Sequence, residues 1–184
     1  MKDVTSTSFG LVIAFLLPGL AALYSLTFWS PYVAGVFNTF KTAESSIGFF
    51  LLVVLASLVF GLLVDVARRL FYDYFLCRGY RLGPERFAEL GTEGKLTAFR
   101  AAVDEHYRYH QFWGGMTVVI PIGFAGWFRN SWERSSWTII LLLTVTLIVI
   151  EMMVGYTATI QYRTLMRRAN HILATEGILI SKGE

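Results

Sequence analysis

Residues 47–66 read IGFFLLVVLASLVFGLLVDV, with no charge before Asp65. Twenty such residues rise about 30 Å as an α-helix, the thickness of a bilayer's hydrocarbon core. Working outward, Ser45–Val64 and Tyr109–Phe128 are each charge-free, and nothing charged lies between Asp3 and Lys41. The whole chain of 184 residues is 55% hydrophobic and only 16% charged, where soluble domains carry about 25% charge. That composition excludes a disordered chain, a secreted disulfide scaffold and an ordinary soluble enzyme. Cys77 is the only cysteine, so neither an internal disulfide nor a multi-thiolate metal site can form. The expected fold class is an all-α integral membrane protein.

Four spans are expected, at about 9–29, 47–66, 112–128 and 137–160, within one four-helix membrane domain covering 1–184. Pro18-Gly19 predicts a kink in the first, tolerable where neighbouring helices satisfy the freed backbone. That segment lacks the basic flank and small-residue site of a cleaved signal peptide, so it is read as retained. Thirteen Lys and Arg residues fall on the two termini and the central 67–111 loop, against Lys41, Arg129 and Arg134 on the opposite loops. The positive-inside rule then places the N- and C-termini in the cytoplasm, in an inner (plasma) membrane. Phe28, Trp29 and Tyr32 at one outer corner, and Trp127, Phe128, Trp132 and Trp137 at the other, suit an interfacial aromatic belt.

The helices are expected to outrun the membrane, giving cytoplasmic helical extensions at 67–111 and 161–184. Tyr162, Leu165, Met166, Ala169, Ile172 and Leu173 form one helical stripe up to a stop at Gly177. Leu96, Phe99, Val103, Tyr107 and His110 form another, and the second span continues through Arg68-Arg69 towards Phe75. Gly79, Gly83-Pro84, Gly91 and Gly94 punctuate the turn between them, with a short helix at Pro84–Leu90. These apolar faces either pack on one another or dock another chain.

Polar residues inside the spans are the first candidates for chemistry. Asp65 can pair with Arg69 four residues on. Glu151 lies fourteen residues after Trp137, about 21 Å into the span, where an acid faces a bundle interior or a wet cavity. It is expected to be a paired, structural carboxylate, with Arg69, Arg108 or a histidine as partner; the competing reading is a proton or cation carrier. Glu105, His106, Tyr107, Arg108 and His110 form a polar collar before the third span. His106 and His110 share a metal-ligand spacing, but a catalytic zinc needs a third ligand, so no metal and no cofactor are expected. Arg163, Arg167 and Arg168 are candidates for docking a partner. No phosphate-binding loop, dinucleotide fingerprint, nucleophile elbow or HExxH motif is present.

Three functions fit. The preferred one is a non-enzymatic, oligomeric membrane subunit, a scaffold or sensor that recruits or regulates a cytosolic protein. Gly48, Ala56, Gly61, Gly123, Gly126 and Gly155 offer contacts between copies as well as within one. The alternative is a small oligomeric ion channel or proton-coupled transporter using Glu151 and Asp65. A lipid-modifying enzyme at the Glu105–His110 collar would lack a nucleophile. Expected partners are membrane lipids, further copies of the chain and a cytosolic protein. Basic residues near the inner leaflet follow from the positive-inside rule, so no specific nucleic-acid binding is expected.

In layout, with four spans, both ends inside, and helices prolonged through Arg68-Arg69 and Arg163–Arg168, the chain resembles the small four-helix membrane subunits of bacterial anti-phage systems of the Kiwa type. The resemblance implies a homo-oligomer that senses membrane perturbation beside a cytosolic effector, in antiviral defence. It transfers no site residue.

Overall fold

A computed structural model describes residues 10, 12–42, 47–74 and 93–174. All of its regular structure is helical among these residues. A π-helical turn, Val12–Leu16, leads into α1 (Leu17–Leu26), and α2 (Pro31–Thr42) follows a tight turn. The third helix, α3 (Ile47–Arg68), continues through a second π-helical turn at Arg69–Asp73. Next, α4 (Glu93–Ala102) passes through a third such turn, Val103–Tyr107, into α5 (Arg108–Ser131). The last helix, α6 (Trp137–Ala174), is 38 residues long, about 57 Å at 1.5 Å per residue.

Contacts between helix ends define an up-down-up-down bundle. Gly10 lies against the Arg108 side chain, so the first described residue sits where α5 begins. Arg68, ending α3, meets His110 on α5 at 3.0 Å. At the opposite end the Trp29 indole donates to the Ile122 carbonyl at 3.0 Å, and Asn130 donates to the Phe28 carbonyl at 2.7 Å. The Trp132 and Trp137 rings, 4.8 Å apart, close the corner between α5 and α6. The two aromatic corners expected from the sequence therefore occupy one end of the bundle. The Arg68–His110 contact and the C-terminal half of α6 occupy the other.

The large break in the first segment lies beyond Pro18-Gly19. Pro18 lies inside the continuous helical run formed by the Val12–Leu16 π-turn and α1, and its missing N–H falls where the π-turn gives way to α-helix. The chain turns instead at Thr27–Ser30, and the two arms Ala14–Leu26 and Pro31–Asn38 meet at 113°. Residues 31–42, expected as a loop, are helical. Pro31 presets φ at the first helical position, and the Ser30 hydroxyl accepts the Val33 N–H at 3.4 Å, the long end of an N-cap bond.

Two helices, Ile47–Asp73 and Trp137–Leu173, are long and apolar enough to cross a membrane, and the bent pair makes a third if it counts as one span. The fourth expected span, 112–128, lies in α5, which does not reach that standard. The physical reason is its position. α5 packs against α1, α3 and α6, so its buried face carries His110, Gln111, Gly114, Gly115, Val119 and Gly126 rather than large apolar groups.

The interior mixes small residues, polar groups and a few aliphatics, and the exterior is rich in large apolar side chains. Ser57, Ala158, Leu165 and Ala169 are buried, while Ile47, Leu55, Met152 and Tyr156 stand exposed. At the crossing of α1 and α3 the two backbones touch. A Cβ on Gly19 would overlap the Ser57 carbonyl, and one on Gly61 would overlap the Phe15 carbonyl. Of the small residues expected to make contacts between copies or within one, Gly61, Gly123 and Gly126 face Phe15, Ser25 and Trp29 of the same chain.

Beyond the apolar stretch the helical extensions pack on each other. α6 contacts α4 and the Val103–Tyr107 turn, burying Leu165 and Ala169 from one side and Ala102 from the other. The expected apolar stripe is therefore covered within the chain. Gly94 lies in the first turn of α4 rather than in a loop. Gly79, Gly83-Pro84, Gly91, the short helix at Pro84–Leu90 and the stop at Gly177 lie outside the described residues.

Candidate functional site: a buried arginine cluster and the Glu151 crevice

Arg68 is fully buried, and its guanidinium is paired with carboxylates from its own helix. Nε and Nη2 donate to Asp65 Oδ1 at 3.2 and 2.8 Å. Nη1 donates to Asp73 Oδ1 and Oδ2 at 2.7 and 2.6 Å. A buried cation needs this, since an unpaired buried charge is far costlier than a paired one. Asp65 also accepts from Arg69 Nε at 2.8 Å, the pair expected from the i, i+4 spacing. Two arginines and two aspartates balance in charge.

The partner of greatest reach, Asp73, is one the helical wheel hides. Five residues of α-helix turn through 500°, placing Asp73 about 140° away from Arg68. The π-helical turn at Arg69–Asp73 absorbs one extra residue and returns Asp73 to the face of Arg68. The aliphatic stem of Arg68 then crosses α5 at Gly114, where a Cβ would stand 2.7 Å from its Cδ.

His110 completes the cluster from α5. Its Nδ1 lies 2.9 Å from the Ala158 carbonyl, an acceptor only, so Nδ1 carries the proton. In the neutral ring Nε2 is then the acceptor, and it stands 3.0 Å from Arg68 Nη1. The same Nε2 is 3.2 Å from Asp73 Oδ1. The ring packs against Tyr162 with centroids 4.9 Å apart. One residue thereby ties α3, α5 and α6 together. Tyr72 adds a second tie, its hydroxyl lying 2.6 Å from both the Gly155 carbonyl and Thr159 Oγ1 on α6.

The residues of the expected collar take several partners. His110 points inward. His106 Nδ1 meets Gln161 Oε1 at 2.9 Å, and Arg108 pairs with Asp104 at 2.6 Å. Glu105 binds Arg168 on α6 at 2.6 Å, while Tyr107 stacks loosely on His110, with centroids 6.0 Å apart. The two histidines thus take different partners, and among the described residues no three His, Cys, Asp or Glu side chains converge as metal ligands. Of the three candidate docking arginines, Arg168 is committed to Glu105, and Arg163 and Arg167 are exposed.

Glu151 stands apart from the cluster. Arg69 and Arg108, two partners expected for it, bind Asp65 and Asp104 instead, and His110 and His106 are engaged as above. Its Oε1 is shut off from solvent without a hydrogen-bond partner. It lines a crevice of about 350 Å³ with Phe71, Tyr72, Thr117, Val118 and Gly155. The other polar atoms there are already used: Tyr72 by Gly155 and Thr159, and the Thr117 hydroxyl by the Gly114 carbonyl at 2.7 Å.

Sequence reasoning singled out Asp65, Arg69, Glu151 and His110, but gave Arg68 no central role and missed Asp73. Comparison with family models, with curated proteins and with solved structures finds no match to this chain.

Proposed function

We propose that this chain is a non-enzymatic subunit of the inner membrane, oligomeric in its working form, that recruits or regulates a cytosolic partner. Four helices are read as crossing, with α5 shielded at the centre and both termini in the cytoplasm. The observation that carries the reading is α6, a single unbroken helix in which an apolar half continues into a half packed on α4. Such a helix links the bilayer mechanically to a cytoplasmic module bearing the exposed Arg163 and Arg167. The inside-out burial pattern supports insertion, because helices in lipid associate through small residues and hydrogen bonds. The charge-balanced Arg68 cluster, at the end opposite the aromatic corners, suits a rigid anchor at the inner boundary. A role in phage defence belongs to the same proposal and rests on layout alone.

Orientation is tested by cysteine labelling in a Cys77→Ser background. External reagent should reach Asn38→Cys and Ser131→Cys but not Lys95→Cys. Labelling of position 95 from outside would overturn the topology.

The functional test couples assembly to recruitment. Crosslinking in native membranes should give oligomers, and a cytosolic protein identified by mass spectrometry should co-purify. Reversing Arg163 and Arg167 to glutamate should release that partner and leave the oligomer intact. Only monomer, or unchanged co-purification, would count against the reading.

A second reading, an oligomeric ion channel or proton-coupled transporter, is favoured by the unpartnered Glu151 carboxylate. Wild-type ion flux in proteoliposomes that disappears in Glu151→Gln, with assembly unchanged, would promote it.

A further inference from the structure

The crevice beside Glu151 has a specific chemical character. Of its six lining residues, Phe71, Val118 and Gly155 present no unsatisfied polar side-chain atom, and the hydroxyls of Tyr72 and Thr117 are occupied by backbone and side-chain partners on the protein. What remains is the Glu151 carboxylate, which lines the crevice and whose Oε1, closed to solvent, has no partner within the protein. A hard metal cation takes about six or more oxygen ligands, and a single carboxylate does not supply them. An ammonium N–H needs only one charged acceptor, and its bond to a carboxylate is among the strong ones. Phe71 and Tyr72 add aromatic surface, which attracts an organic cation and covers apolar parts of its body. The volume of about 350 Å³ falls within the range of small-molecule sites.

The place of the crevice fixes the approach. Glu151 lies about 21 Å along α6 from Trp137, inside the apolar half of that helix. Its neighbours Met152 and Met153 are exposed on the outer surface, as is Phe71 across the crevice. A ligand reaches it laterally, with its apolar part towards the bilayer.

We propose that this crevice is a binding site for a protonated amine carrying an apolar body, its N–H held by Glu151 and its body lying between Phe71, Tyr72 and Val118. The site shares Glu151 with the ion-pathway reading but does not require flux. Binding without flux would make it the sensory input of the membrane subunit.

The test uses the full chain, purified in dodecyl maltoside, titrated with 9-aminoacridine and followed by fluorescence anisotropy. Saturable binding is expected for the wild type, weakened about tenfold or more in Glu151→Gln, which keeps shape and removes charge. Gly155→Leu retains the carboxylate but fills the crevice, where a Cβ meets only Thr117 Cγ2 at 3.8 Å, and it should abolish binding. Both variants should elute from gel filtration as the wild type does. If the leucine variant does not, the glutamine variant alone decides. Added phosphatidylethanolamine that competes, where phosphatidylglycerol does not, would assign the ammonium to a lipid headgroup; no competition would assign it to a free amphiphilic amine. No saturable binding by the wild type, or equal binding by Glu151→Gln, would overturn the proposal. Neither result bears on oligomerisation or partner recruitment, which are measured separately.

Discussion

Replacement of Arg68 by methionine is expected to destabilise the folded bundle by about 3–5 kcal/mol, the usual cost of breaking a buried ion pair by removing one partner. Methionine replaces the aliphatic stem over Gly114 but ends about where Nε stands, so the loss combines the missing charge with the emptied place of the guanidinium. Asp73 would lose the guanidinium that holds both of its oxygens and keep only His110 Nε2 at 3.2 Å. Asp65 would be less affected, because Arg69 still donates to it. The control is Arg69→Met. Arg69 is 59% exposed, so its ion pair is worth about 0.2–1 kcal/mol. Denaturation in mixed micelles, followed by circular dichroism, measures both variants. Equal losses at 68 and 69 would show that the buried cluster does not organise the fold.

The second large effect is expected at the α1–α3 crossing. Gly61→Leu places a side chain where the Phe15 backbone carbonyl already stands. A rotamer change cannot relieve that overlap, because the obstacle is main chain, so the helices must separate. Overpacking costs about 1–3 kcal/mol in well-packed cores, and backbone contact puts Gly61→Leu at the upper end. Separation would also open the contact between Gly19 and Ser57 on the same crossing. Gly35→Ala is the matched control, since nothing lies within 4 Å of a Cβ there. Removing a helical glycine at an open position should be neutral or stabilising by about 0.5–1 kcal/mol. Loss of monodisperse protein in Gly61→Leu with normal recovery of Gly35→Ala is the expected outcome. A well-folded Gly61→Leu would refute the direct backbone contact.

Much of this architecture is legible in the chain because length, apolarity and local spacing are properties of contiguous sequence. Length and apolarity alone mark Ile47–Asp73 and Trp137–Leu173, and local spacing suffices for the Asp65–Arg69 pair. The stripe through Leu165 and Ala169 follows from a 3.6-residue period that no tertiary contact disturbs. The Ser30-Pro31 pair carried a helix-start signal for α2 that a reading based on hydropathy passed over.

What tertiary structure alone decided lies where the helical period breaks or where contacts cross between helices. Three π-helical turns shift register by one residue, and one of them brings Asp73 to Arg68; a strict 100° wheel puts them on different faces. Which arginine is buried, Arg68 or Arg69, depends on where α5 leaves room, and that room is made by Gly114, 46 residues away in the chain. The small residues looked equally suited to contacts between copies or within one, and packing assigned Gly61, Gly123 and Gly126 to the latter. Glu151 was visible as a costly acid in an apolar run, but its separation from every expected partner was not. A sequence shows which charges exist; only the relative placement of α3, α5 and α6 shows that the two arginines and the histidines satisfy other groups first, leaving Glu151 facing a crevice.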